Sequence, residues 1–386
     1  METRKLYYED CHLTEFSARV LTCEASEKGY WVTLDATAFY PEGGGQACDL
    51  GALGNAKVLD VQEKGETVSH LCDGPLAVGE TVTGRIDYAR RFDLMQQHSG
   101  EHIVSGIINR KFGYHNVGFH MGTGLVTIDF DGPIPAEELA LIEREANEAI
   151  WQNLPIKCWY PTPEELPTVG YRSKRALPWP VRVVEVPGFD KCACCGVHVA
   201  ATGEIGLIKL MTCIKFHEGV RIEMACGARA LNYLTAIYEQ NRQVSQAFSA
   251  KVLETGEAAR RMNEMLAAEK FKVNGLQKQV FAAIARDYAG QGTVVHFEPG
   301  LQSAQVRELC DAIADKNGGL AAVFSGTDED GYSYCLIQHG GDLRSLNKVM
   351  TAALSGRGGG KPEYQQGSVK ASRANIEAFF QKELQK

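Results

Sequence analysis

The sequence predicts a multidomain α+β protein. Three observations lead there. Short segments rich in Val, Thr, Leu and aromatic residues crowd positions 1–90 between Gly, Asp and Asn breaks. Helical periodicity sets in at Arg91 and then alternates with strand-like runs. A long, glycine-poor helical stretch then leads to a C-terminal α/β pattern. A length of 386 residues argues for two or three folded domains. The pattern divides into 1–90, 91–230, a helical segment 231–288 and 289–386.

Residues 30–40, 56–61 and 81–86 read as strands, so the first domain is a small barrel or sandwich. Phe92, Met95, His98, His102, Ile103 and Ile107 follow a helical period, and Asn109-Arg110-Lys111-Phe112-Gly113 closes that helix with basic residues and a glycine. A strand is expected over 125–130. A helix follows over 133–153, with Glu137, Glu138, Glu143 and Glu145. A second strand falls at 181–186, and 205–214 with 220–225 form a strand pair turning at Glu218-Gly219. Between 231 and 288 apolar residues recur every three to four positions, from Leu231, Leu234 and Ile237 to Leu276, Val280 and Ile284. That spacing predicts a long amphipathic helix or a helical hairpin, with Gly256 and Gly275 marking bends. Beyond 290, strands are expected at 293–297, 321–325 and 332–338 and helices at 303–316 and 343–355. Residues 356–360 read as a flexible or tightly turning loop, and 375–384 as a final helix.

With 44% hydrophobic and 23% charged residues the chain can bury real cores. No run approaches the roughly 18 apolar residues of a membrane span, and the N-terminus carries no apolar secretion signal. A cytoplasmic protein without membrane contact is expected. Twelve cysteines spread over such a chain read as reduced thiols and a metal site rather than disulfides. The net charge of −8 argues against indiscriminate nucleic-acid binding. A local basic surface remains: residues 344–373 carry Arg344, Lys348, Arg357, Lys361, Lys370 and Arg373 against the single acid Glu363.

Two short motifs carry the chemistry. His98-Ser99-Gly100-Glu101-His102 places two imidazoles one helical turn apart on one face. Cys194-Cys195-Gly196-Val197-His198 supplies a thiol and a third imidazole, enough to complete a tetrahedral zinc site. Cys192 and Cys195 are alternative thiols, but only Cys194 keeps the three-residue spacing to His198. Glu101 points about 100° from His102 around the helix, which predicts a surface or supporting position rather than a general base. A third block, Leu34-Asp35-Ala36-Thr37-Ala38-Phe39-Tyr40-Pro41-Glu42-Gly43-Gly44-Gly45-Gln46, joins a strand to a glycine-rich loop. It is not a P-loop, because the Lys-Ser/Thr ending is absent. A fourth, Arg357-Gly358-Gly359-Gly360-Lys361-Pro362, lies near the C-terminus.

In this order the four blocks resemble the editing domain of alanyl-tRNA synthetases and the free-standing alanyl-tRNA editing proteins. The last block is similar to the glycine-rich end of the C-terminal domain shared with DHH-type phosphoesterases. The commonest second motif of that family is Cys-Gly-Gly-Thr-His; here Cys195 and Val197 replace a glycine and the threonine. The resemblance implies an N-terminal β-barrel, a zinc-dependent editing domain, a helical segment and a C-terminal RNA-binding domain. It implies zinc held by His98, His102, Cys194 and His198. Four protein ligands would close the sphere, so catalysis needs the sphere to expand or a ligand to leave, and a loosely held histidine, His198, is the candidate. The implied reaction is hydrolysis of the ester in alanine tRNA mischarged with serine or glycine.

A site that demands the seryl hydroxyl complements a synthetase pocket too small to exclude it by shape. Thr37 is the first candidate to read that hydroxyl, with His120 and Thr123 second, and Gln46 is expected to position the ribose or the ester. Gly43, Gly44 and Gly45 either approach the tRNA end or form a tight turn. Arg357 and Lys361 are expected to contact tRNA, and residues 231–288 with the C-terminal domain offer a surface for a homodimer. Threonyl-tRNA editing and a non-catalytic, zinc-stabilised tRNA-binding protein are the competing readings.

Overall fold

A computed structural model describes residues 2–173, 177 and 179–383. The chain is a mixed α+β protein in two compact units, Met1–Gln243 and Val244–Lys386.

The first unit begins with β1 (Arg4–Lys5), β2 (Glu15–Ser26), β3 (Gly29–Leu34), β4 (Ala36–Thr37), β5 (Gly51–Leu53), β6 (Ala56–Lys64), β7 (Thr67–Cys72) and β8 (Thr81–Ile86). Six of these close a barrel in the order β2-β3-β7-β6-β5-β8, while β1 and β4 pair in parallel at its side. Alternation explains the closure. Phe16, Ala18 and Val20 face inward from β2 and their neighbours face out. They meet Val32, Leu34, Leu53, Val58, Val61 and Val68 in one apolar core. The sequence reading named neither β2, β5 nor β7 individually: polar outward residues break up any continuous apolar run in β2 and β7, and β5 is only three residues long.

Helix α1 (Tyr88–Phe112) leaves the barrel directly. Asp87 caps it by accepting from the Arg90 N–H, and Gly113, at φ 73°, ends it in the left-handed region that glycine favours. Arg91, wholly buried, ties α1 to the barrel: its guanidinium pairs with Asp49 and donates to the carbonyls of Ala38 and Cys11. Next come β9 (Asn116–Met121), β10 (Val126–Phe130), α2 (Ala136–Trp151), β11 (Lys157–Trp159), β12 (Val183–Val186), β13 (Asp190–Ala193), β14 (Ile208–Phe216), β15 (Gly219–Cys226) and α3 (Gly227–Ala247). A four-stranded sheet, β14-β15-β10-β9, packs against α1 and α2 around Ile103, Ile107, Ile128, Ile142 and Ile222. A three-stranded sheet, β11-β12-β13, carries the cysteine segment.

The helical segment divides into two helices, but not at the glycines the sequence suggested as bends. Helix α3 stops at Ala247, Ser249 adopts φ 50°, and α4 (Thr255–Asp287) starts afresh. Gly256 lies in the first turn of α4 and Gly275 sits inside it, so neither produces a break. The second unit continues with β16 (Gly292–Phe297), α5 (Ser303–Asn317), β17 (Gly318–Thr327), β18 (Gly331–Ile337), α6 (Arg344–Ala353), β19 (Arg357–Lys361), β20 (Tyr364–Val369) and α7 (Arg373–Glu383). The strands form one sheet, β16-β17-β18-β20-β19. Residues 356–360 are therefore not a loop: from Arg357 onward they belong to an edge strand, antiparallel to β20. Their glycines allow it, because a Cβ on Gly358 would stand 2.1 Å from the Tyr334 hydroxyl. The last residue of the expected final helix, at position 384, lies outside the described residues. Among the described residues no helix is long and apolar enough to cross a membrane.

Candidate metal centre

The helical period puts Glu101, Ser105, His98 and His102 on one stripe of α1, spanning about 100°. The stripe faces β13 and the loop that follows it. Two glycines let α1 approach closely: a Cβ on Gly100 would lie 2.2 Å from the Cys226 sulfur, and one on Gly106 would lie 2.3 Å from the Phe189 carbonyl. The loop after β13 is fixed from three sides. Arg182 donates to the carbonyls of Cys194 (3.0 Å) and Gly196 (2.8 Å), and its guanidinium sits 4.3 Å from the centre of the Tyr8 ring. The Tyr8 hydroxyl donates to the Cys195 carbonyl (2.6 Å). Gly196 has no room for a side chain, since a Cβ would meet His98 Cε1 at 2.1 Å.

The result is a four-residue cluster. One donor atom each from His98, His102, Cys194 and His198 lies within 4.8 Å of all the others. Cys194 Sγ is 3.3 Å from His98 Nε2. An ideal tetrahedral zinc site has edges of about 3.3 Å between nitrogens and about 3.6 Å between sulfur and nitrogen. Each histidine is held by its other nitrogen. His98 Nδ1 donates to Gln46 Oε1 (2.8 Å), His102 Nδ1 to Asp190 Oδ2 (2.9 Å) and His198 Nδ1 to Ser99 Oγ (3.2 Å). That tautomer leaves three Nε2 lone pairs facing inward, and His198 Nε2 is buried without a hydrogen-bond partner. Three imidazoles and a thiol, with one inner nitrogen orphaned, are a donor set that fits a divalent cation.

The electrostatics agree. Burial pushes the Cys194 thiol up, but His98 and His102 beside it more than offset this and hold it well below the ordinary thiol range. Burial pushes His102 down, yet Cys194 and the Asp190 bond outweigh it and raise the ring well above its ordinary value. Burial, with His98 adding to it, drops His198 to about 3. The cluster thus stabilises a thiolate, the ligand form of cysteine. A second grouping, His102, Asp190 and Cys192, shares His102. There Arg172 engages both oxygens of Asp190 (2.6 and 2.9 Å), and burial pushes the Cys192 thiol up to about 11, so the four-residue set is the better metal site.

The cluster opens into a cavity of about 600 Å³ lined by residues that include Gly44, Gly45, Glu101, Asn116, Phe119 and Arg172. Gly43 and Gln46 close the glycine turn by mutual backbone bonds, and Gly44 (φ 61°) and Gly45 (φ 83°) need left-handed backbone. A Cβ on Gly45 would stand 2.6 Å from Phe119. The turn is therefore both tight and part of the cavity wall. Gln46 is buried and holds His98 and the Val197 N–H, so its carbonyl oxygen faces the cluster.

Thr37 does not line the cavity. It is wholly buried, bonding His70 Nε2 (2.8 Å) and accepting from the Phe39 N–H, because its strand turns that face toward the barrel. His120 and Thr123 are exposed and also lie off the cavity wall. A register shift in the β9–β10 pairing puts Asn116 and Phe119 on the wall instead. Glu101 is not a surface residue: it is 5% exposed and lines the cavity. The 100° offset from His102 was the wrong measure, since Glu101 lies only about 60° from His98. Val197 packs in the apolar core, so the hydroxyl missing from this motif lies away from the cavity. Asp190, Arg172, Ser99 and Arg182 were not singled out from the sequence; Ser99 sits inside the first motif and the other three lie outside both, and no local pattern marks their roles.

Comparison with known proteins accords with this arrangement. The family model "Threonyl and Alanyl tRNA synthetase second additional domain" matches residues 181–223, and the model for class II (A) tRNA synthetases matches residues 2–90. An alanine–tRNA ligase of Thermococcus kodakarensis is 33% identical over 395 residues, covering 96% of this chain and 42% of the ligase. The chain thus spans less than half the length of the ligases it matches. The mouse alanyl-tRNA editing protein Aarsd1 is 28% identical over 97% of both chains, and Aarsd1-B of Xenopus laevis is 26% identical over 97% of this chain and 96% of its own. Matched by these proteins over nearly their whole length and its own, the chain belongs to the alanyl-tRNA editing protein family.

Proposed function

We propose that this chain is a trans-editing hydrolase that deacylates alanine tRNA mischarged with serine, and with glycine. Water cleaves the ester between the amino acid and the terminal ribose, releasing free amino acid and intact tRNA. The observation that carries this reading is the convergence of three imidazole nitrogens and a thiolate at a cavity large enough for an aminoacyl ester. His98, His102, Cys194 and His198 would hold zinc, which polarises an ester carbonyl or activates water when bound. The remaining residues prepare the cavity. Gln46 and Asp190 fix two ring orientations through an amide and a carboxylate. His198 is held only by a hydroxyl at 3.2 Å, the longest of the three supporting bonds, which makes it the ligand best able to give way. Gly44 and Gly45 bring bare backbone to the wall where the tRNA end would lie. Arg357 and Lys361 stand exposed on the edge strand β19, and this second unit would contact the tRNA body.

The test is deacylation of Ser-, Gly- and Ala-tRNA(Ala) and of Ser- and Thr-tRNA(Thr) by zinc-replete and chelator-treated protein. Zinc-dependent hydrolysis of the seryl and glycyl alanine tRNAs, with Ala-tRNA(Ala) spared, is expected. The matched family model is shared with threonyl-tRNA synthetases, so hydrolysis confined to Ser-tRNA(Thr) would reassign the substrate. Tight tRNA binding with bound zinc and no hydrolysis would leave a scaffold.

A further inference from the structure

We propose that Glu101 and Asn116 form the subsite for the α-ammonium of the aminoacyl group, so that the cavity selects esters of amino acids over neutral esters of the same shape. The inference rests on the deacylase reading and names what that site recognises. Glu101 is 5% exposed and Asn116 4%, and both line the cavity beside His102. Oxygen Oε1 of Glu101 accepts from the Ser105 hydroxyl and from Asn116 Nδ2. Both partners are neutral. Among the described residues, no cation lies within hydrogen-bond distance of this carboxylate. Arg172, on the same cavity wall, feels the Glu101 charge but directs Nε and Nη2 at Asp190.

A buried carboxylate without a cationic partner is uncommon, because desolvating a charge is costly unless it is paired. Next to it Asn116 Oδ1 is buried with no hydrogen-bond partner at all. The pair therefore offers acceptors and no matching donor. An ammonium is the complement: it carries positive charge, several N–H donors and no acceptor. A hydroxyl would satisfy one acceptor and leave the charge unmatched. The reacting ester always carries that ammonium next to its carbonyl, whichever amino acid is attached. The subsite would thus hold seryl and glycyl substrates alike and leave discrimination between them to other contacts.

The experiment compares Ser-tRNA(Ala) with glyceryl-tRNA(Ala), in which a hydroxyl replaces the α-ammonium, under single-turnover conditions at subsaturating full-length enzyme loaded with zinc. Wild type should favour the seryl ester about ten- to a hundredfold, the range of a hydrogen bond to a charged group. Glu101→Gln should collapse that preference while keeping its zinc and the ratio of seryl to glycyl rates. Asn116→Ala should narrow the preference as a second, independent variant. Equal hydrolysis of seryl and glyceryl esters by wild type would overturn the subsite while leaving the deacylase intact. A Glu101→Gln enzyme that keeps the ammonium preference, or loses only its seryl-to-glycyl ratio, would overturn it too. Failure of wild type on every ester would overturn the deacylase reading and the subsite with it.

Discussion

Asp190 illustrates how much of this site rests on residues outside the motifs. Its carboxylate is buried between His102 and Arg172. Burial alone would raise its pKa, but the bonds to His102 and Arg172 reverse that and hold it below the ordinary carboxylate range. A carboxylate behind a ligating imidazole fixes its tautomer and raises its basicity. Asp190→Asn should therefore weaken zinc binding about 10- to 100-fold, as measured by competition with a chromophoric chelator. Unchanged affinity would remove Asp190 from the site. The four ligand positions were legible because an i,i+4 pair and a short CxxxH segment are local patterns. Asp190, Ser99 and Arg172 were not, because their partners lie 88, 99 and 18 positions away. Thr37 shows the opposite failure: its place in a recognisable block says nothing of which way its strand faces.

At the scale of elements, α1 does most of the positioning, and its glycines set how near it comes to its neighbours. Gly106→Ala would gain helix propensity of about 1 kcal/mol, yet its Cβ would stand 2.7 Å from that of Asp190 as well as against the Phe189 carbonyl. We expect a net loss of about 1–3 kcal/mol in urea unfolding, with weaker zinc binding as Asp190 is displaced from His102. Gly275→Ala in α4 is the contrasting case. Nothing lies within 4 Å of the added carbon, so propensity acts alone and stability should rise by up to about 1 kcal/mol. Long periodic helices such as α1 and α2 were readable from sequence, to within a few residues at their ends. The strand β19 was not: its glycine run has the composition of a loop, and only the close approach of Tyr334 and β20 explains why it lies flat.

At the scale of the whole molecule, every ligand and every wall residue of the cavity belongs to the first unit, and the basic edge strand belongs to the second. Truncation after Gln243 should weaken tRNA binding more than it slows ester cleavage at saturating enzyme; unchanged affinity would remove the second unit's assigned role. The α4 helix leaves Phe271, Met265 and Leu276 exposed; the apolar periodicity of the segment predicted a face that packs, not one that stands open.

Cys194 and His98, whose side chains nearly touch, are 96 positions apart in sequence. An ion bridging them acts as a clasp on the unfolded chain, shrinking the ensemble of coils available to it. By analogy with a covalent crosslink closing about 100 residues, the clasp contributes of order 4 kcal/mol. Scanning calorimetry should then show two melting events, with chelation lowering the one that belongs to the first unit by roughly 10 °C and leaving the other in place. Loss of the ion would thus silence the cavity and loosen its frame in one event, while the unit proposed to grip the tRNA stays folded.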